Sequence, residues 1–129
     1  MDAKYFTPAE FDSPDAPGSG ARMKPSFISR LDSARAVAGV PFVITSGYRT
    51  PQHNEQVGGI PDSAHTRGRA ADISLQELRP EQQLAVITAL HEAGFRRLGW
   101  SPGSFVHVDD DPSKPSPALW DYSDAAHKA

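Results

Sequence analysis

The stretch "FRRLGWSPGSFVHVD", residues 95–109, decides the class of fold. Two short runs rich in β-branched and aromatic residues, 95–100 and 104–109, flank the Ser-Pro-Gly sequence at 101–103. Such a pattern predicts two strands joined by a tight turn. Because successive side chains of a strand point to opposite faces, the second strand has a core face formed by its valines. Its other face carries three side chains: Phe105, His107 and Asp109.

The preceding sequence adds two helices and two further strands. Residues 79–94 begin with a proline in the first turn and end on glycine, which predicts a helix. Residues 69–75 and 41–46 predict strands, the second of them buried. Residues 26–38 have apolar side chains at helical spacing, and Ser26 can cap the start of this helix. The order of elements predicts an α+β fold with a small, mostly antiparallel sheet packed with two main helices.

The length of 129 residues predicts one domain over 1–129. Residues 1–24 and 110–129 are rich in Pro, Asp and Ser, so we expect an irregular N-terminal arm and an irregular C-terminal segment. The aromatic side chains of Tyr5, Phe6 and Phe11 should attach the arm to the domain.

Composition excludes several functions. The net charge is −3 and no basic block stands out, which argues against a nucleic-acid partner. No apolar stretch near the N-terminus is long enough for a signal peptide or a membrane span. We therefore expect synthesis in the cytoplasm without a leader. Cysteine is absent, so any metal site must use histidine and carboxylate ligands.

Of the five histidines, three merit attention as ligands. His91 on the second helix should be exposed and His127 lies in the C-terminal tail, which leaves His53, His65 and His107. In "SAHTRGRAAD", residues 63–72, His65 and Asp72 flank a glycine-containing turn into a strand, so their side chains can converge. With His107 they would provide the three ligands of a catalytic zinc. Spacing alone nevertheless favours a polar loop at 63–72. For His107, a solvated polar strand face and a site residue are equally compatible with the pattern.

A strand end carries a further candidate, Arg49 in "SGYRT", residues 46–50. Its guanidinium could hold a substrate carboxylate in a bidentate pair. Taken alone, a turn with a surface ion pair is the favoured interpretation of this arginine.

Together these motifs resemble the zinc D-alanyl-D-alanine peptidase family. The resemblance covers about Phe42 to Asp109, and the Ser-x-His-x-x-Gly-x-Ala-x-Asp pattern is matched at every position of 63–72. It implies Zn2+ held by His65, Asp72 and His107. It also implies that Arg49 binds a substrate carboxylate or carbonyl, and that Ser63 lines the substrate cleft.

One departure from the family concerns proton transfer. Several branches carry a glutamate three residues before the last zinc histidine, or a histidine two before it. Here these positions are Ser104 and Phe105, which cannot accept a proton. Asp109 could act as the general base or could orient His107, and we favour orientation. His53 and the carboxylates of 109–111 remain open as alternative bases.

The resemblance implies a zinc peptidase that cuts peptidoglycan peptides by carboxypeptidase or endopeptidase action. We expect the protein to be a monomer. A phage or prophage lysis enzyme, acting on the cell wall after release from the cell, fits the expected absence of a leader. The substitutions at Ser104 and Phe105 keep an alternative open: a non-catalytic wall-binding or virion structural domain that retains the fold. A generic metal-binding surface domain is a third interpretation.

Overall fold

The structure is a computed structural model and describes residues 3–122. Its main elements are α1 (Pro25–Ala38), β1 (Ile44–Ser46), α2 (Pro51–Gln56), β2 (Ala70–Ser74), α3 (Pro80–Glu92), β3 (Arg97–Ser101), β4 (Phe105–Asp109) and β5 (Ala118–Asp121). Three short 3-10 helices complete the order: Pro8–Phe11, Ser19–Arg22 and Ala64–Arg67. This is the predicted α+β architecture.

The strands form one sheet in the order β1-β2-β4-β3-β5. Every neighbouring pair is antiparallel except β3 and β5, which run parallel. The predicted hairpin over 95–109 is therefore confirmed, as is the mostly antiparallel sheet. None of the helices in residues 3–122 has the length and apolar character that crossing a bilayer requires.

Both main helices pack on the face of the sheet that carries the β4 valines. Val106 and Val108 are fully buried, as the alternation predicts, and pair with Ile73 and Ala71 of β2. From the helices, the core receives these buried side chains: Phe27, Ile28, Leu31 and Ala34 of α1, and Val86, Ala89 and Leu90 of α3. The opposite face of the central strands is thereby left for polar side chains.

The boundaries differ from the predicted ones in three places. Helix α1 begins at Pro25 with Lys24 as N-cap, so Ser26 lies inside the first turn and is not the cap. The strand predicted over 41–46 is limited to β1. The expected burial of this strand is wrong, because β1 lies at the edge of the sheet, its residues are partly or largely exposed, and the preceding Val43 is 59% exposed.

The third difference is β5, which lies in the segment expected to be irregular. Residues 118–121 pair with β3 and extend the sheet by one strand, so the irregular conformation predicted for 110–129 is wrong for these residues. The arm at 1–24 includes two of the short 3-10 helices. Phe6 and Phe11 are buried in the core and attach it, whereas Tyr5 is 36% exposed and lies beneath the guanidinium of Arg35.

Candidate metal centre

The register of the sheet brings two of the predicted ligands side by side. Asp72 of β2 is the direct partner of His107 on β4, and both side chains lie on the face opposite the helices. On the other side of β4, the partner of His107 is Gly99. Cross-strand partners on one face have Cβ atoms about 5 Å apart, so the two ligands meet as a consequence of strand pairing.

His65 reaches the same point from the 3-10 helix Ala64–Arg67. Ser63 caps this short helix, because its hydroxyl accepts a hydrogen bond from the His65 main-chain nitrogen. The helix ends at Gly68, whose φ of 70° is left-handed and whose Cα hydrogen faces the Arg22 carbonyl oxygen. The chain then turns directly into β2, which places His65 beside Asp72.

The three side chains form a compact set of donor atoms. One ligand atom from each of His65, Asp72 and His107 lies within 4.8 Å of the others. Asp72 Oδ1 is 3.3 Å from His65 Nε2 and 2.9 Å from His107 Nδ1. Both histidines are fully buried and Asp72 nearly so. The predicted convergence of these three residues is therefore observed.

Hydrogen bonds determine which nitrogen of each ring is available to a metal. His65 Nδ1 donates to the Gly47 carbonyl oxygen at 2.7 Å, so its Nε2 faces the cluster. This Nε2 makes no hydrogen bond with any described residue although it is buried. In His107, Nε2 donates to Asp109 Oδ2 at 2.7 Å, which leaves Nδ1 facing Asp72. Both rings thus present one nitrogen to a common point.

The protonation states of His65 and Asp72 agree with a cation site. Burial lowers the pKa of His65, which favours the neutral ring that a metal requires. Burial acts to raise the pKa of Asp72, but the attraction of the two histidines and the hydrogen bond with His107 outweigh it and keep the carboxylate ionised. Burial acts to lower the pKa of His107, but its hydrogen bonds with Asp109 and Asp72 outweigh this and raise it, so a metal ion would displace the proton on Nδ1. A buried carboxylate and two imidazoles, with one nitrogen lacking a partner, fit a divalent metal ion.

Arg49 lies next to the cluster, and its guanidinium contacts Ser46, Asn54 and Asp72. Nε donates to Ser46 at 3.1 Å, Nη1 to Asn54 at 3.1 Å, and Nη2 lies 3.5 Å from Asp72 Oδ2. Its main-chain nitrogen also donates to the His65 carbonyl oxygen. These contacts place the guanidinium on the wall of a pocket of about 190 Å³ that is lined by Arg49, Val57, Gly58, Gly59, Asp72, Phe105 and Tyr122.

Asp109 lies behind His107, away from this pocket. Its Oδ1 accepts hydrogen bonds from Arg97 Nε at 2.8 Å and from the Asp111 nitrogen at 3.1 Å, while Oδ2 accepts from His107. The carboxylate is 1% exposed. The attraction and hydrogen bonds of these neighbours outweigh desolvation and lower the pKa of Asp109.

The other candidate residues are not brought to the cluster. Ser63 is fully buried at the start of the 3-10 helix, so its contact with substrate stays a prediction. His53 on α2 lies in the field of Asp15 rather than beside the metal ligands. Asp110 and Asp111 pair with arginines, Arg69 and Arg67. His91 is exposed as expected, and His127 lies outside the described residues.

The aromatic side of the site was not predicted from the sequence. Trp120 of β5 packs over His107 with 5.6 Å between ring centroids, and Tyr122 lines the pocket. The alternation in "ALWDY", residues 118–122, is the signal that could have predicted a strand there.

A buried His-Asp-His cluster beside an open pocket is the arrangement of a metal-dependent hydrolase. A comparison with protein families identifies the kind of hydrolase: the family model described as Peptidase M15 matches residues 4–109. The match covers most of the chain, which therefore belongs to the peptidase M15 family, a family of metallopeptidases. No curated protein matches the chain significantly.

Proposed function

We propose that this chain is a zinc-dependent peptidase that hydrolyses a peptide bond in the stem or the cross-link of peptidoglycan. The observation that carries the proposal is the convergence of His65, Asp72 and His107, with His65 Nε2 left without a hydrogen bond. Three protein ligands of this kind, with a fourth position open, are typical of catalytic rather than structural zinc. Membership of the M15 family supports a peptide substrate.

Bound zinc would activate water and polarise the scissile carbonyl, so no covalent nucleophile is needed. The chain's own residues hold and orient the reactants. Gly47 and Asp109 each occupy one ring nitrogen of a ligand histidine and so fix its orientation. Arg49 on the pocket wall would pair with a carboxylate of the peptide stem.

We assign Asp109 to the positioning of His107 rather than to proton transfer. Its two oxygens already accept three hydrogen bonds, and the one to His107 is made at the nitrogen opposite Asp72. A general base must come within hydrogen-bond reach of the proton that it accepts. The carboxylate of Asp109 is buried behind His107 and is not part of the pocket lining.

The test is cleavage of purified peptidoglycan by the zinc-loaded protein, with fragments analysed by mass spectrometry. We expect new peptide fragments that disappear with a chelator and return when zinc is added. Asp72→Ala and His65→Ala should abolish both zinc binding and cleavage. The matched control is His91→Ala, which removes an exposed histidine of α3 and should change neither. No chelator-sensitive cleavage by the wild type would contradict the proposal.

Ser104 and Phe105 favour one alternative, a domain that binds the wall without cutting it, since neither side chain accepts a proton. Sedimentation with insoluble peptidoglycan distinguishes the two. Co-sedimentation by a zinc-loaded protein that releases no fragments would support the alternative.

We extend the proposal to location and origin: a phage or prophage lysis enzyme that acts on the wall after release. Added to cells with a permeabilised outer membrane, the zinc-loaded protein should then lower turbidity, and His65→Ala should not.

A further inference from the structure

The last described residues bring aromatic side chains onto the polar face of the sheet. Trp120 is the cross-strand partner of Gly99, and Gly99 is in turn the partner of His107. Tyr122 follows two residues later, and its main-chain nitrogen donates to the Trp100 carbonyl oxygen. Both side chains therefore lie on the face that carries the metal ligands, although they fall outside the family match, which ends at residue 109.

Gly99 provides the space that these rings occupy. A Cβ atom at this position would lie 2.5 Å from Trp120 Nε1 and 2.8 Å from Tyr122 Cε2, closer than real contacts allow. The two rings thus fill the volume that a side chain of β3 would otherwise take. Tyr122 also packs on Phe105 of β4, with 5.0 Å between ring centroids. Contacts from two strands hold the phenol in place.

Tyr122 lines the pocket together with Arg49 and Asp72. The other described lining residues are Val57, Gly58, Gly59 and Phe105, none of which has a polar side-chain group. Among the described lining residues, Arg49 and Tyr122 are therefore the ones whose side chains can donate a hydrogen bond to a ligand in the pocket. Arg49 is held by Ser46, Asn54 and Asp72.

Electrostatics keep the phenol protonated. Burial raises the pKa of Tyr122 above its ordinary value, and an interaction with Trp120 offsets this only in part. The negative charges of Asp72 and Asp109 act in the same direction as burial. A hydroxyl that stays protonated beside a metal centre is suited to donate a hydrogen bond to developing negative charge.

We propose that Tyr122 is a catalytic residue whose hydroxyl donates a hydrogen bond to the oxygen of the scissile carbonyl as that oxygen becomes negatively charged. The phenol keeps its proton throughout and forms no covalent bond with the peptide. The inference rests on the proposed peptidase function. The hydrogen bond from Tyr122 would be stronger in the transition state than in the enzyme–substrate complex. Only interactions with this property accelerate the chemical step.

The experiment compares wild type, Tyr122→Phe and Tyr5→Phe, all loaded with zinc. The bond cut is first identified with the wild type, and kcat and KM are then measured on a peptide that contains it. Tyr122→Phe should lower kcat about 100-fold, as loss of one such donor does elsewhere. Its KM should stay within about threefold of wild type, because ground-state binding is unchanged. Tyr5→Phe alters an exposed ring of the arm and should behave as wild type.

Binding of an inhibitor gives a second measurement that is independent of turnover. A phosphinate analogue of the cleaved bond mimics the tetrahedral, negatively charged transition state. Calorimetry should show that Tyr122→Phe weakens this analogue about 100-fold while its zinc content equals that of wild type.

The possible outcomes separate the two proposals. An active wild type matched by Tyr122→Phe in kcat and in phosphinate affinity overturns only the role of Tyr122. Loss of zinc or of folded structure in Tyr122→Phe would show a structural role and also overturns it. A wild type that cleaves no peptide overturns the proposed function and this inference together.

Discussion

Replacing Asp109 with asparagine should weaken zinc binding more than replacing it with alanine. Asp109 Oδ1 is fixed between two donors, Arg97 Nε and the Asp111 nitrogen. In Asp109→Asn the amide oxygen must therefore stay at this position, which turns the NH₂ group toward His107 Nε2. The ring then prefers to carry its proton on Nδ1, the nitrogen that faces Asp72 and the metal.

The size of the effect follows from the number of buried donors left unsatisfied. To bind zinc through Nδ1, His107 must keep its proton on Nε2, where it would face the amide NH₂. Each of these two donors would lack an acceptor at a cost of about 1–3 kcal/mol, or about 4 kcal/mol together. Since 1.4 kcal/mol is tenfold, zinc should bind about 1000-fold more weakly. Asp109→Ala removes the acceptor of Arg97, of the Asp111 nitrogen and of His107. Of these, only the loss at His107 acts directly on the metal ligand, and the loss of such a partner typically costs about 10–100-fold in metal affinity.

Zinc affinity would be measured by competition with a chromophoric chelator at neutral pH. Circular dichroism of the metal-free variants would show that both remain folded. The control is Asp110→Asn, because the Asp110 carboxylate pairs with Arg69 and not with His107. Its zinc affinity should equal that of wild type. An Asp109→Asn affinity within tenfold of wild type, or above that of Asp109→Ala, would refute the reasoning.

Three further predictions concern stability. Asp111→Asn should lower the free energy of unfolding by about 2 kcal/mol at pH 7, since its carboxylate accepts hydrogen bonds from Ser113 and Arg67. Despite burial, these bonds lower the pKa of Asp111, so the contribution is complete above the ordinary aspartate pKa and is lost as pH falls through the lowered one. Urea titrations of both proteins at several pH values should therefore converge in acid, and a constant difference would contradict this. Gly68→Ala should cost at least about 2 kcal/mol in a thermal melt, because φ is 70° and the added Cβ would lie 2.3 Å from a carbonyl oxygen. A variant as stable as wild type would contradict this placement. Phe11→Ala should cost about 3–5 kcal/mol if the N-terminal arm belongs to the core, and a loss below 1 kcal/mol by urea titration would show that it does not.

The helices and the hairpin could be predicted from the sequence because turn residues and the spacing of apolar side chains determine them locally. The hairpin over 95–109 follows from a turn sequence between two β-prone runs, and the helix α3 follows from periodicity with proline at its start. The strand β5 escaped prediction because its short run directly follows a proline-rich stretch at 112–117. It pairs in parallel with β3, and no hairpin turn joins the two strands, so no local turn sequence indicates the pairing.

The sequence by itself determined the ligand types and the face on which His107 lies, because alternation along a strand is a local property. Cysteine-free composition limited a metal site to histidine and carboxylate. Tertiary structure alone decided that Asp72 and His107 are cross-strand partners and that Asp109 lies behind the cluster. Only the sheet order brings Tyr122 to the pocket, across the gap left by Gly99. Register and sheet order depend on contacts between distant segments, and no local pattern of residues encodes them.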